Sequence, residues 1–211
     1  KIAGNLKPES QEQDGNTLAK KLIDKIHCYF PKNTSAGKNE LFKRNIGLYI
    51  AKTRFCTHFL NMDCDEFYKK EQFEEAKKFI ITNKIEASSC KFTNYIKQPI
   101  WQIQPDPQMY VPFITKIHYF TKLSRKSYFP VLVDPTRKMN GHKKFKYFDS
   151  QDLKMEHMWL IRRDLQKKFN NSSARNYVKP QLIAEILNYE FPNKFSGCDV
   201  IEVDNIFNIK I

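Results

Sequence analysis

Three short apolar runs near the middle of the chain, each bounded by polar or turn-forming residues, constrain the fold more than any other feature. They cover residues 109–114, 128–134 and 145–149. The second and third runs are joined by a polar segment that contains Asn140-Gly141, and this pair is typical of tight β-hairpin turns. The sequence therefore predicts a hairpin formed by 128–134 and 145–149, with 109–114 as another strand of the same core.

A helix is expected directly after the hairpin. Seven apolar residues follow at the spacing of one helix face, and Asp152 stands before them as a candidate N-cap. Asp149 closes the preceding strand, where a fold can present a carboxylate to a cleft. The apolar positions of the predicted helix are Leu153, Met155, Met158, Leu160, Ile161, Leu165 and Phe169.

The first half of the chain has mostly helical patterning. Apolar residues recur at helical spacing in three segments, 17–30, 40–60 and 65–82. The predicted fold class is therefore α+β, with a helical N-terminal half packed on a small, mainly antiparallel sheet that is followed by helices.

The same patterns predict the domain organisation. Residues 1–16 are polar and are expected to form a flexible lead-in. Residues 17–211 are expected to form a single α+β domain. Within that domain, 17–97 is predicted to be helical, and 98–211 is predicted to hold the sheet and its helix.

Composition argues against several kinds of site. Only 6 of the 211 residues are glycine, and no Gly-rich phosphate-binding spacing is found. The cysteines include no Cys-x-x-Cys pair, and Cys56-Thr-His58 alone does not make a zinc site. We therefore expect no cofactor and no metal. Free thiols and the lack of a secretory or membrane-spanning segment indicate the nucleus or cytoplasm and no membrane partner.

The chain is strongly basic, with a formal net charge of +13. Such a charge attracts DNA, RNA or acidic proteins, although a solvated lysine-rich surface also explains it. Basic and aromatic residues alternate in 91–97, 116–128 and 143–147, where lysines can follow phosphates while rings stack on bases. The candidate nucleic-acid-binding residues are Arg125, Lys126, Lys143, Lys144 and Lys146.

The nucleic-acid interpretation depends on whether these aromatic side chains face solvent. Strand alternation places Phe145 and Tyr147 on the same side of the third run. The simpler prediction is that this side is the core face, which would leave the rings unavailable to bases.

Four segments of the second half carry a further pattern. A strand-like run is followed by an apolar run that ends in aspartate, by a Tyr-Phe-Asp-Ser sequence, and by a cysteine ahead of another apolar run. These segments are Tyr110-Val-Pro-Phe, Tyr128 to Asp134, Tyr147 to Ser150, and Cys198 to Phe207.

With this pattern, residues 109–207 resemble the SUMO/ubiquitin-like-protein-specific cysteine proteases. Such a protease needs a thiolate, an imidazole that takes its proton, and a carboxylate that orients the ring. The resemblance implies Cys198 as the nucleophile and Asp149 as the carboxylate. His118 is the nearest histidine for the base.

Two positions depart from the family pattern. Ser127-Tyr128 stands where the family has His-Trp, and a serine hydroxyl cannot act as a general base near neutral pH. Asp199 follows Cys198, and its negative charge opposes thiolate formation. The predicted function is a catalytically degraded cysteine-protease-like domain that serves as a protein-binding scaffold for a ubiquitin-like or acidic partner. The alternatives are a basic nucleic-acid-binding protein or nuclear-complex subunit, and an active ubiquitin-like-protein cysteine protease.

Overall fold

The computed structural model describes residues 35–161, 164–171 and 180–210. Within these ranges it contains four α-helices, one short 3-10 helix at Pro135–Arg137, and eight β-strands. The helices are α1 (Ala36–Thr53), α2 (Lys70–Thr82), α3 (Leu165–Asn171) and α4 (Pro180–Leu187). The strands are β1 (His58–Leu60), β2 (Glu66–Tyr68), β3 (Ala87–Ile96), β4 (Trp101–Gln104), β5 (Val111–Lys116), β6 (Phe145–Phe148), β7 (Lys154–Leu160) and β8 (Asp199–Glu202).

Strand β3 is the centre of the sheet, because other strands pair with both of its edges. Along one edge it runs parallel to β6 in its first half and to β7 in its second half. Along the other edge it is antiparallel to β5 and then to β4. The outer strands extend this arrangement, since β1 pairs with β5, β8 with β4, and β2 with β7. The described residues therefore form a large, curled, mixed sheet.

The residues of β3 suit this central position. Its first four residues, Ala-Ser-Ser-Cys, are all buried and are small enough for neighbouring elements to approach both faces. The buried hydroxyl of Ser88 is satisfied because it donates to the carbonyl of Ile114 at 2.8 Å. A ten-residue strand extends over roughly 33 Å, which is long enough for two successive partners on each edge.

Helix α2 covers one face of the sheet. Ala76 and Ile80 lie four residues apart on one side of the helix, and both are buried against the sheet. Phe113 of β5 and Phe148 of β6 belong to the same cluster, and the ring of Phe73 meets that of Phe113 edge to face at 5.2 Å. This packing holds the first half of β3 between α2 and the loops that follow β5.

A second apolar cluster lies at the other end of the sheet. Ile186 of α4 is fully buried there against Ile96 of β3 and Leu160 of β7. Phe169 of α3 and Phe195 join the same cluster. The C-terminal helices therefore pack on the second half of β3, away from α2.

The predicted fold class is wrong. Three strands, β1 to β3, lie inside 17–97, which was predicted to be helical, and the sheet is large and mixed rather than small and mainly antiparallel. The physical reason lies in β3, which is buried on both faces and therefore lacks the alternation of a half-exposed strand. The predicted lead-in at 1–16 and the helix at 17–30 lie outside the described residues.

The predicted hairpin is also wrong. Residues 128–134 form no strand, and β6 pairs in parallel with β3 instead. The Asn140-Gly141 pair does not close a hairpin between these runs, because Leu123 and Met139 bridge two loops there. A long buried strand offers β6 more pairing and burial than a short exposed hairpin does.

The helix predicted over 153–169 is a strand followed by a short helix, β7 and α3. In β7 the buried side chains lie on both faces, as for Met155 and Glu156, so the apolar spacing resembled a helix by coincidence. The helix prediction at 65–82 is confirmed by α2, and the strand prediction at 109–114 is largely confirmed by β5. Among the described residues, no helix combines the length and apolar character needed to cross a lipid bilayer.

Candidate functional site

The three residues of the predicted protease triad lie in separate parts of the sheet. His118 follows β5, Asp149 is exposed after β6, and Cys198 is half-buried before β8. The strands next to Asp149 and Cys198 are three pairings apart across β3, which corresponds to about 14 Å at about 4.8 Å per pairing. Among the described residues, no hydrogen bond or ion pair joins any two of the three.

Asp149 and Cys198 both have local structural roles. The carbonyl of Asp149 accepts two main-chain amides and closes the turn between β6 and β7. Phe195 and Cys198 exchange two main-chain hydrogen bonds of 2.9 Å. The residues between them, Ser196 and Gly197, have φ values of 49° and 81°, as in a type I′ turn. These turns account for the positions of both residues without catalysis.

A network of charged side chains joins α1 to the 3-10 helix. Arg44 of α1 donates to both carboxylate oxygens of Asp63, at 3.2 and 3.1 Å, and to Asp134 at 3.4 Å. Arg137 of the 3-10 helix donates to Asp63 at 2.5 Å and to Glu66 at 3.0 Å. Both guanidinium groups are buried. Each of these carboxylates therefore has a guanidinium partner, which makes the network a structural clamp.

Burial and pairing shift the pKa values of this network in different directions. Burial raises the pKa of Glu66 above its ordinary value, although the hydrogen bond and charge of Arg137 oppose that shift. Burial disfavours ionisation of Asp134, but hydrogen bonds from Thr136 and the nearby guanidinium groups hold its pKa below the ordinary value. No group of three or more His, Cys, Asp or Glu residues in the described ranges is arranged to hold a metal ion.

A cavity of about 270 Å³ lies beside this network, with Phe92, Tyr110 and Trp159 in its wall. His157 also lines it, and its Nδ1 lies 3.1 Å from Oδ1 of Asn94. Burial lowers the pKa of the His157 ring to about 4, so the ring is neutral at pH 7. The cavity carboxylates that belong to the network are already paired with arginine, so little charge is left for a ligand.

A different surface is formed by two neighbouring loops. Residues 116–128 begin at the end of β5, and residues 138–144 precede β6. The amide of Lys122 donates to Oδ1 of Asn140 at 2.8 Å, and the amide of Asn140 donates to the carbonyl of Lys122 at 3.3 Å. These bonds hold the loops side by side. We call the surface of 116–128 and 138–144 the aromatic–basic face.

Helix α1 fixes the first of these loops. Asn45 bonds to the main chain of Leu123 as a strand would, since its Oδ1 accepts from the amide and its Nδ2 donates to the carbonyl, both at 3.0 Å. Lys52 donates to the carbonyls of Tyr119 at 2.8 Å and Thr121 at 2.7 Å. The loop is therefore held in place although it contains no strand.

Glu86 anchors the second loop. Its carboxylate accepts the amides of Lys143 at 2.6 Å and Lys144 at 3.2 Å, and the first of these bonds does most to lower the pKa of Glu86. The ring of His142 lies 6.0 Å from that of His118. Both ring nitrogens of His142 are buried without a hydrogen-bond partner among the described residues. Burial lowers the pKa of His142 to about 4, so lysine and arginine carry the positive charge here.

The aromatic–basic face concentrates positive charge. Its twenty residues include seven lysines and arginines and no aspartate or glutamate. The whole chain has a net charge of +13, so more than half of the excess comes from less than a tenth of its length. A local charge of this kind attracts phosphate groups.

Three aromatic side chains of the face point into solvent. Tyr119 is 87% exposed, Phe120 is 81% exposed and Tyr128 is 84% exposed. The rings of Tyr119 and Phe120 meet edge to face, with their centroids 4.8 Å apart. Large aromatic groups that cluster in water mark an interaction surface more often than a packing defect. The adjacent Tyr-Phe pair between lysines, outside any helical or strand spacing, was the sequence signal for it.

Four of the five predicted nucleic-acid-binding residues lie on this face, where Arg125, Lys126, Lys143 and Lys144 are all exposed. Lys146 does not, because β6 directs it to the opposite side of the sheet. Its ammonium lies 5.4 Å from the ring centroids of Phe79 and Phe148, next to α2.

The prediction that Phe145 and Tyr147 form the core face of β6 is wrong. Phe148, on the other side of the strand, is the residue buried against α2, whereas Tyr147 remains 41% exposed. The ring of Phe145 packs against Phe129 at 5.2 Å, below the aromatic–basic face. The side of β6 that carries Phe145 therefore supports this surface rather than the main core.

No family model matches the chain, and neither a curated protein nor a solved structure matches it. The resemblance to ubiquitin-like-protein proteases remains a prediction from a few motifs. The hairpin and the helix that it requires are built differently here, as β6, β7 and α3 show. Functional inference therefore rests on the chemistry of the described residues.

Proposed function

We propose that this protein binds single-stranded nucleic acid through the aromatic–basic face. The observation that carries the proposal is the exposure of Tyr119, Phe120 and Tyr128, each above 80%, on loops that contain no acidic residue. Exposed rings can stack on unpaired bases, and the surrounding lysines can follow the phosphate backbone. Each feature alone has another explanation, but together they match the two needs of a single strand.

A single strand suits this face better than a duplex does. Bases in a duplex are already stacked, so exposed rings would find no base to cover, and only the lysines would contribute. The face consists of loops, whereas duplex readers place a helix or a strand pair in the major groove. An acidic protein partner would use the lysines but would leave the rings without a planar partner.

The proposal is tested by fluorescence anisotropy with a labelled single strand of about 15 nucleotides. Stacking on one ring contributes about 1–3 kcal/mol, so Phe120→Ala should weaken binding by roughly five-fold to 150-fold. Ile81→Ala is the matched control, because Ile81 is an exposed apolar residue on α2, away from this face. Equal affinities for the wild type and Phe120→Ala would contradict the stacking role.

The charge contribution is tested by the dependence of affinity on salt concentration. Each lost phosphate contact should lower the slope of log affinity against log salt by about 0.7 for a single strand. Lys143→Ala should produce such a change, whereas Lys78→Ala on the outer side of α2 should not. Equal slopes for both variants would show that the basic charge acts without a defined path for the backbone.

A further inference from the structure

A second cavity, of about 500 Å³, opens at the edge of the aromatic–basic face. It lies between the loop that ends at Tyr128 and the loop that precedes β6. This volume falls in the range of pockets that bind small organic groups. The residues that line it and matter here are Tyr128, Phe129, Met139, Asn140, Lys143 and Phe145.

The walls of this cavity are apolar and aromatic. The rings of Phe129 and Phe145 stand almost perpendicular, at 87°, with centroids 5.2 Å apart. Met139 is buried beside them, and Tyr128 stands at the solvent side. A planar, apolar-faced group can therefore enter between the two loops and cover these rings.

Asn140 supplies a fixed polar group in the cavity. Its Oδ1 accepts the amide of Lys122 at 2.8 Å, which assigns the oxygen and turns the NH₂ group elsewhere. Among the described residues that NH₂ group has no hydrogen-bond partner, and it is not buried. An oriented amide donor next to aromatic walls is suited to the edge of a heteroaromatic ring.

We propose that this cavity holds one unpaired nucleobase of the bound strand, and this inference rests on the function proposed above. The base covers Phe129 and Phe145, and its edge accepts a hydrogen bond from the NH₂ group of Asn140. Lys143, at the rim, contacts the adjoining phosphate. Unstacked bases held on aromatic side chains and bonded at their edges are the usual targets of sequence-selective single-strand recognition.

Asn140→Asp tests the edge contact with little change of shape, because aspartate keeps the oxygen that accepts from Lys122 and loses only the NH₂ donor. Thymine presents two carbonyl acceptors, whereas cytosine presents an amino donor. The variant should therefore shift the ratio of affinities for single strands that differ in one central base by about fivefold from thymine towards cytosine. Ser127→Asp adds the same charge nearby and should weaken both strands equally.

A second measurement follows the cavity itself in the wild-type protein. With methyl-labelled methionine, the NMR signal of Met139 should shift when the strand is added, because the ring current of the base acts on its methyl group. Met62, which is exposed between β1 and β2, is the internal reference and should not shift.

The outcomes separate this inference from the proposed function. A shifted Met139 signal together with a changed base ratio in Asn140→Asp supports the base-binding cavity. If the strand binds while the Met139 signal stays unchanged and Asn140→Asp weakens all strands equally, the cavity is not a base site, although the proposed function stands. If no single strand binds at all, both inferences fail.

Discussion

Replacing Arg137 with methionine should destabilise the protein strongly, because the change leaves a buried carboxylate without its partner. Glu66 is only 2% exposed, and Arg137 donates to it at 3.0 Å, whereas Asp63 also has Arg44. Removing one member of a buried ion pair costs about 3–5 kcal/mol. We expect the free energy of unfolding, measured by urea denaturation at neutral pH, to fall by about that amount.

The loss should depend on pH in a defined direction. Burial already raises the pKa of Glu66 above its ordinary value, and loss of Arg137 removes the opposing interaction. A carboxyl group with a raised pKa binds more protons in the folded than in the unfolded state, so its contribution to stability falls as pH rises. The stability lost in Arg137→Met should therefore be larger at about pH 8 than at about pH 5.

The double variant Arg137→Met with Glu66→Leu supplies the control. Replacement of a whole buried ion pair by apolar side chains of similar size is often close to neutral, because no charge is left unpaired. The double variant should recover much of the stability lost in the single one. A loss below about 1 kcal/mol in Arg137→Met, or a double variant that is less stable than the single one, would refute the clamp.

Three further changes test other parts of the structure. His157 has a pKa of about 4 in the folded protein, below that of an unfolded histidine, so the unfolded state binds more protons between these values. Stability should therefore fall as pH drops from about 6.5 to about 4, by up to roughly 3 kcal/mol from this residue, and urea midpoints of His157→Gln should depend less on pH. Gly197→Ala should cost about 1–2 kcal/mol in thermal unfolding, because its φ of 81° disfavours a side chain, whereas Gly47→Ala inside α1 should cost nothing. A ubiquitin-like activity probe should leave Cys198 unlabelled, and labelling that is lost in Cys198→Ala would restore the protease hypothesis.

Elements with one exposed face could be predicted from the sequence. Helix α2 and strand β5 follow from local patterns, because α2 has one buried side and β5 is a short apolar run between turn residues. Strand β3 could not be predicted, since a strand buried on both faces has no alternation. Once β3 is missed, the partner of β6 is missed too, and the nearest apolar run, 128–134, is taken in its place.

The candidate site was only partly accessible to sequence reasoning. The alternation of lysine and aromatic residues in 116–128 pointed to the correct segment of the surface. The sequence could not show which rings face solvent, because that depends on Asn45 and Lys52 of α1, far away in the chain, which hold the loop. It also could not show that β6 turns Lys146 away from the other lysines.

The most direct test of the account compares a single strand with a duplex of the same length and sequence, using the double variant Tyr119→Ala with Phe120→Ala. Both rings are almost fully exposed, so their removal should leave the fold intact, as circular dichroism would show. We expect the wild type to prefer the single strand and the variant to lose that preference, while its weaker, salt-dependent binding to the duplex stays the same. Equal binding of both nucleic acids by the wild type, or an equal loss for both in the variant, would contradict the central claim that these rings stack on unpaired bases.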